Sequence, residues 1–166
     1  MDKTSPNSEP RGLRRRHLAA LAVAACLPSW ALAQSVSSKT GPLVQVWKDP
    51  NCGCCQDWVV YLEANGFRTQ TFDNGNAAMR GRLGMPQKFG SCHTALVAGY
   101  VIEGHVPARE IQRLLKEKPK ALGLSVPRMP LGSPGMDGPE YGGRKDPYEV
   151  LLVAKDGSTT VFQRYT

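Results

Sequence analysis

Residues 43–66 read LVQVWKDPNCGCCQDWVVYLEANG and combine a short apolar run, a turn and a helical pattern. The apolar run at 43–47 predicts a strand, and Asp49-Pro50-Asn51 is typical of a turn that begins a helix. A helix is expected from near Cys54, because apolar residues then recur at helical spacing until Asn65-Gly66 supplies its end. The stretch therefore predicts a cluster of cysteines at a strand-to-helix turn.

The pattern continues as a strand, a short helix, a β-hairpin and a helix, at 67–72, 76–83, 94–102 and 107–118. Residues 119–147 are rich in Pro and Gly, and we expect an irregular segment of the functional or flexible kind. Asp156-Gly157 lies between two apolar runs and predicts a C-terminal hairpin. This order predicts an α/β chain with a thioredoxin-like fold and an added C-terminal β-hairpin.

The first 33 residues have the pattern of a cleaved secretory signal peptide. A basic stretch at 11–16 precedes an apolar stretch at 18–27 and the small-residue site Ala31-Leu32-Ala33. That apolar stretch is shorter than the roughly 20 residues of a membrane-spanning helix, so no span is expected after cleavage. Arg14-Arg15 leaves Sec and twin-arginine export open, and Cys26 leaves lipidation open. Residues 34–166 are then one periplasmic metal-binding domain.

The charge of the chain does not favour nucleic acid as a partner. The formal net charge is +7, but five basic and two acidic residues belong to the N-terminal 33. The remainder has 16 basic and 12 acidic residues without a basic run or interleaved aromatic residues. A positive charge of this size mainly favours solubility.

Four cysteines remain after the signal, namely Cys52, Cys54, Cys55 and Cys92. In the expected fold the first strand-to-helix turn faces the segment that leads into the third strand, which would place Cys92 beside the other three. Thiolates near a helix N-terminus have lowered pKa values and are nucleophilic. As soft ligands they favour Cu(I), zinc or iron-sulfur centres over hard cations.

Several chemistries fit four clustered cysteines. An exported protein with an even number of cysteines often forms disulfides, here two of them. Cys52 and Cys55 also have the CxxC spacing of thiol-disulfide oxidoreductases, although Cys54 inside that motif would interfere with simple dithiol exchange. Tetrahedral zinc usually takes two separated ligand pairs. Crowded sulfurs are better placed to bridge several Cu(I) ions, so a multinuclear copper-thiolate cluster is the sharper hypothesis.

Other residues are secondary candidates for copper ligation. His93 follows Cys92 in a predicted strand, so its side chain is expected to face away from the site. His105, at the end of the predicted hairpin, is a candidate to approach the cysteines. Thioethers bind Cu(I), but a single methionine more often packs in a core. We hypothesise a water-poor pocket roofed by Trp47, Trp58 and the loop with Met129 and Met136, and Met85 is a further candidate.

The chain from about Val44 to Tyr165 resembles the CopG-type copper-resistance family. The matching stretches, in order, are VWKDPNCGCCQDW (46–58), GMPQKFGSCHTA (84–95), GYVIEGHVP (99–107), MPLGSPGMDG (129–138) and PYEVLLV (147–153). The resemblance implies a thioredoxin-like fold and periplasmic location. It also implies copper binding through the four cysteines and a role in copper tolerance through interconversion of Cu(I) and Cu(II).

The sequence leaves open whether such a protein turns over. As an enzyme it would be a copper oxidoreductase. As a binder it would be a copper chaperone or buffer that exchanges copper ions with other periplasmic copper-handling proteins. A dithiol oxidoreductase that acts on proteins is the third class.

Overall fold

The structure is a computed structural model that describes residues 40–166, and the predicted signal peptide lies outside these residues. The described chain is mixed α/β. Its strands and helices are β1 (Leu43–Lys48), α1 (Gly53–Ala64), β2 (Arg68–Phe72), α2 (Ala77–Arg82), β3 (His93–Val97), β4 (Tyr100–Glu103), α3 (Ala108–Glu117), β5 (Gly123–Ser125), β6 (Tyr148–Val153) and β7 (Thr159–Tyr165). No helix within 40–166 has both the length and the apolarity needed to span a bilayer.

The strands form one sheet in the order β2-β1-β3-β4-β5-β6-β7. β1 and β2 are parallel and are connected by α1, whereas β3 lies antiparallel to β1 and forms a hairpin with β4. β5 is parallel to β4, and the hairpin of β6 and β7 continues the sheet from β5. The N-terminal end of α1 and the start of β3 are therefore neighbours.

The predicted helices, strands and hairpins occur in the described chain, but β5 was missed within the segment that was expected to be irregular. It has three residues, which is too short for a hydrophobic period, and its position between β4 and β6 comes from tertiary pairing. Gly123 permits this pairing, because a Cβ at that position would collide with the carbonyl of Val101. β5 thus connects the first four strands to the C-terminal hairpin.

The sheet has a hydrophobic cluster on each face. Successive residues of a strand point to opposite faces, and on β4 Ile102 belongs to a cluster with Trp58 and Leu114 while Val101 belongs to one with Met85. The first cluster contains buried side chains of both α1 and α3. This packing fixes α1 against the sheet and holds the turn before it in place.

Candidate metal centre

Three of the cysteines lie where β1 turns into α1. The Asp49 side chain accepts a hydrogen bond from the backbone N–H of Asn51, and the Asp49 carbonyl oxygen accepts one from the backbone N–H of Cys52. Cys52 is the N-cap residue, and Cys54 and Cys55 lie in the first helical turn. Free amide groups at a helix N-terminus favour negative charge, so this turn suits thiolates.

The fourth cysteine reaches this turn from the segment before β3. The sulfur of Cys92 lies 3.9 Å from that of Cys54, which in turn lies 3.6 Å from that of Cys52. The Cys55 sulfur is 3.7 Å from the Cys92 carbonyl oxygen. All four sulfurs lie within 4.8 Å of one another. The predicted contact between Cys92 and the cysteine-rich turn is confirmed.

The four sulfurs are not all free. Cys52 and Cys55 form a disulfide, while Cys54 and Cys92 are free and half-buried. The interpretation as two structural disulfides is therefore wrong for this structure. Ligation through all four sulfurs would require reduction of the bond between Cys52 and Cys55.

The surroundings of Cys92 favour its neutral thiol form. Burial, followed by the charge of Cys54, raises the pKa of Cys92 to about 12. The expectation of a lowered pKa is therefore wrong for Cys92, which comes from the segment before β3 and not from the helix start. A metal ion that binds here must displace the Cys92 proton, because thiolate is the ligand form.

His105 is oriented as a possible ligand beside Cys92. Its Nδ1 lies 2.8 Å from the carbonyl oxygen of Pro134, which can only accept a hydrogen bond, so Nδ1 carries the proton. The lone pair of Nε2 then faces the Cys92 sulfur at 3.1 Å. Burial lowers the pKa of His105 and favours the neutral ring. A ring N–H donated to a backbone carbonyl is the usual support of a metal-ligating histidine.

The expectation that His93 faces away from the site is wrong. Its ring is fully buried, lies 4.3 Å from the Trp58 ring centre and 4.9 Å from that of His105, and brings Nδ1 to 3.5 Å from the Cys92 sulfur. β3 begins at His93, so strand alternation does not apply to Cys92 and His93. The His93 Nε2 has no hydrogen-bond partner among the described residues. Cys92, His93 and His105 form a second group of donors that shares Cys92 with the first.

The Pro/Gly-rich segment covers this site as an ordered loop. Gly135 has φ +82°, and a Cβ there would lie 2.6 Å from the Cys54 carbonyl oxygen and 2.8 Å from the Trp58 backbone nitrogen. Met136 follows, is 8% exposed, and receives a hydrogen bond from the Tyr141 hydroxyl at 3.5 Å. Desolvation and then the charge of Cys54 raise the pKa of Tyr141.

The other candidates lie elsewhere or only border the site. Met85 packs in the second hydrophobic cluster. Met129 is 47% exposed in an open groove with Lys88. Trp47 stacks on Phe72 rather than on a site residue, with ring centres 5.0 Å apart. Of the hypothesised roof, Trp58 and the segment around Met136 adjoin the donor groups.

Comparison with solved structures decides the family. A structure titled "Copper resistance protein copG- Form 2" is 42% identical to this chain, covers 76% of it and 99% of its own chain, and superposes with a TM-score of 0.70. A second structure, titled "Copper resistance protein copG- Form 1", is 43% identical, covers 74% of this chain and 96% of its own chain, and superposes with a TM-score of 0.69. The chain belongs to the CopG family.

Further comparisons add little to this assignment. The model of a family described as "Protein of unknown function, DUF411" matches residues 89–136, which include Cys92, both buried histidines and Met136. A search of curated proteins gives no match. In this member of the CopG family, sequence reasoning missed Tyr141, for which loop composition gave no signal, and named His93 but predicted the wrong orientation for its side chain.

Proposed function

We propose that this chain is a periplasmic copper-binding protein of copper resistance, exported by the predicted signal of residues 1–33. In its reduced form Cys52, Cys54, Cys55 and Cys92 hold Cu(I), as a multinuclear thiolate cluster. The observation that carries this is the convergence of four sulfurs within 4.8 Å of one another. The two solved CopG structures are titled copper resistance proteins, which supports copper as the metal.

The donor set fits a soft metal. Sulfur and imidazole donors suit copper and zinc, whereas Mg²⁺ and Ca²⁺ prefer oxygen ligands. Three of the cysteines lie within four residues, which suits sulfurs that bridge ions better than the separated ligand pairs of structural zinc. The neutral imidazole of His105 adds a nitrogen donor on the Cys92 side.

We also propose that the fold is thioredoxin-like with a C-terminal addition. The order of β1, α1, β2, β3, β4 and α3, with β1 and β2 parallel and β3 and β4 antiparallel, supports this. In that description β5, β6 and β7 extend the sheet, and the loop before β6 completes the site.

The Cys52–Cys55 disulfide supports redox exchange with copper. Oxidation of two thiols to one disulfide releases two electrons and two protons, and the electrons reduce two Cu(II) to two Cu(I). We therefore predict that mixing the fully reduced protein with Cu(II) forms two Cu(I) per Cys52–Cys55 disulfide. Stopped-flow absorbance with a Cu(I) chelator, followed by peptide mass spectrometry, measures both products. Copper bound without any change of oxidation state would reduce the protein to a binder or chaperone.

A second candidate is a thiol-disulfide oxidoreductase, which the same disulfide at a helix start favours. The two functions differ in their need for metal. Thiol exchange with a protein substrate that persists in the presence of a copper chelator would favour this candidate, and loss of exchange would favour copper.

We predict that the two methionines of the Pro/Gly-rich segment differ in their effect on copper. Met136→Leu removes a buried thioether beside Tyr141 and is expected to weaken Cu(I) affinity severalfold, whereas Met129→Leu, in an exposed position, is expected to leave it unchanged. Both substitutions conserve volume, so stability should change by less than about 1.5 kcal/mol. Competition with a Cu(I) chelator gives the affinities, and equal affinities in the two variants would contradict a contribution of Met136 to Cu(I) binding.

A further inference from the structure

A buried ion pair between Arg80 and Glu103 lies behind Cys92 and is not part of the donor set. Arg80 belongs to α2 and Glu103 ends β4, and the Arg80 Nε lies 2.9 Å from the Glu103 Oε1. The Arg80 side chain is 6% exposed and that of Glu103 is 0% exposed. Desolvation of two charges costs several kcal/mol, and apolar replacements are often equally stable. Stability alone therefore does not explain this pair.

Both charged groups bind the backbone of Ser91, the residue before Cys92. The Ser91 N–H donates to the Glu103 Oε1 at 2.7 Å, and the Arg80 Nη2 donates to the Ser91 carbonyl oxygen at 2.5 Å. That carbonyl belongs to the peptide bond between Ser91 and Cys92. The two peptide groups on either side of Ser91 are thus held by one ion pair.

Two polar side chains complete the arrangement. The Thr94 hydroxyl donates to the Glu103 Oε2 at 2.7 Å, and the Asn76 amide donates to the Ser91 carbonyl oxygen at 3.1 Å. Every partner of the carboxylate is a donor, as an acceptor-only carboxylate requires. We call Asn76, Arg80, Thr94 and Glu103 the Ser91 clamp.

Ser91 is also confined from its other side. Gly104 has φ +72°, and a Cβ there would lie 2.6 Å from the Ser91 Cβ, so the chain after β4 passes directly over Ser91. The Ser91 hydroxyl donates to the Arg128 carbonyl oxygen. Because its backbone and side chain are both held, Ser91 fixes the position of the backbone nitrogen of Cys92.

We propose that Arg80 and Glu103 are positioning residues of the copper site, which fix the peptide before Cys92 so that the fourth sulfur meets the turn of Cys52 and Cys54. This inference rests on the proposed function. Ligand geometry has to be held to within about 0.5 Å, and loss of groups that orient metal ligands typically weakens metal affinity about 10- to 100-fold.

The test compares Glu103→Gln with Glu110→Gln. Glu110 is a matched control, since its carboxylate is 3% exposed, pairs with Arg109 and Arg113, and accepts a hydrogen bond from Tyr165. The first readout needs no copper: the alkylation rate of Cys92, read by peptide mass spectrometry in the form with the Cys52–Cys55 disulfide. We expect about a tenfold faster rate in Glu103→Gln and the wild-type rate in Glu110→Gln.

The second readout is Cu(I) affinity by chelator competition after reduction. Glu103→Gln is expected to weaken it at least about tenfold, and Glu110→Gln to leave it unchanged even where thermal unfolding shows an equal loss of stability. Arg80→Lys keeps the positive charge but loses the guanidinium group that bonds both Glu103 and the Ser91 carbonyl oxygen. Its copper affinity should resemble that of Glu103→Gln, and it replaces that variant in the test if Glu103→Gln does not fold.

Three outcomes would count against parts of this account. Wild-type Cys92 reactivity and copper affinity in Glu103→Gln and Arg80→Lys would overturn the clamp, as would equal changes in the Glu110→Gln control. A wild-type protein that binds no copper would overturn the proposed function instead. The alkylation rates would then still test whether the Ser91 clamp positions Cys92.

Discussion

Cys92→Ser is expected to lower the copper retained by the reduced protein from more than one ion per chain to one or fewer. Cys92 is the only one of the four cysteines that comes from outside the start of α1, and its sulfur lies 3.9 Å from that of Cys54. A hydroxyl is a harder and weaker ligand for Cu(I) than a thiolate. The remaining three sulfurs would lose the group that lets the site bridge ions between two parts of the chain.

Anaerobic Cu(I) titration, with metal analysis after desalting, measures this effect. Met85→Leu is a suitable control, because it removes a buried sulfur from the second hydrophobic cluster and should retain wild-type copper. Equal copper in wild type and Cys92→Ser would confine the site to the turn. Wild-type protein that retains no copper would instead favour a thiol-exchange role for the Cys52–Cys55 disulfide.

Gly135→Ala is expected to destabilise the protein by about 2–5 kcal/mol and to weaken copper binding. Its left-handed backbone costs an L-residue about 1–2 kcal/mol. A methyl group here would also press on the backbone of Cys54 and Trp58, and overpacking of this kind typically costs about 1–3 kcal/mol. The covering loop would have to lift away from α1, which would also displace the Pro134 carbonyl from His105.

Gly143→Ala isolates the backbone contribution. Gly143 has φ +72° in the same covering segment, but a Cβ there meets no atom within 4 Å. Its substitution should cost about 1–2 kcal/mol and leave the Cu(I) affinity unchanged. Chemical denaturation gives the free energies of unfolding, and chelator competition gives the affinities. An equally small effect in Gly135→Ala would mean that the loop is not pressed on α1 in solution.

The sequence was sufficient to predict the contact that makes the site. Strand and helix patterns around residues 43–66 indicated a β-α-β unit, and topology then placed Cys92 opposite the turn of Cys52 and Cys54, as the sulfur distances confirm. This prediction succeeded because it depended on the order of elements rather than on side-chain orientation. The signal peptide stays a prediction, since residues 1–33 lie outside the described chain.

Features that depend on tertiary packing were missed. The orientation of His93 follows from the strand boundary after Cys92, which no propensity specifies. The covering loop has no hydrophobic period, and its order comes from contacts such as the bond of His105 to Pro134. Burial of Met136 and exposure of Met129 likewise depend on the path of this loop, and composition does not predict which of the two methionines is buried.

The donor groups come from distant parts of the sequence, so it matters whether the chain folds before or after it binds copper. Cys92 is 38 residues from Cys54, and His105 is 29 residues from its partner Pro134. Contacts this distant in sequence form late, after the chain has closed long loops. In an unfolded chain only three of the four sulfurs are close together, whereas folding adds Cys92 and the imidazole of His105 to them. The number of ions that one molecule carries should therefore record whether it met copper before or after folding.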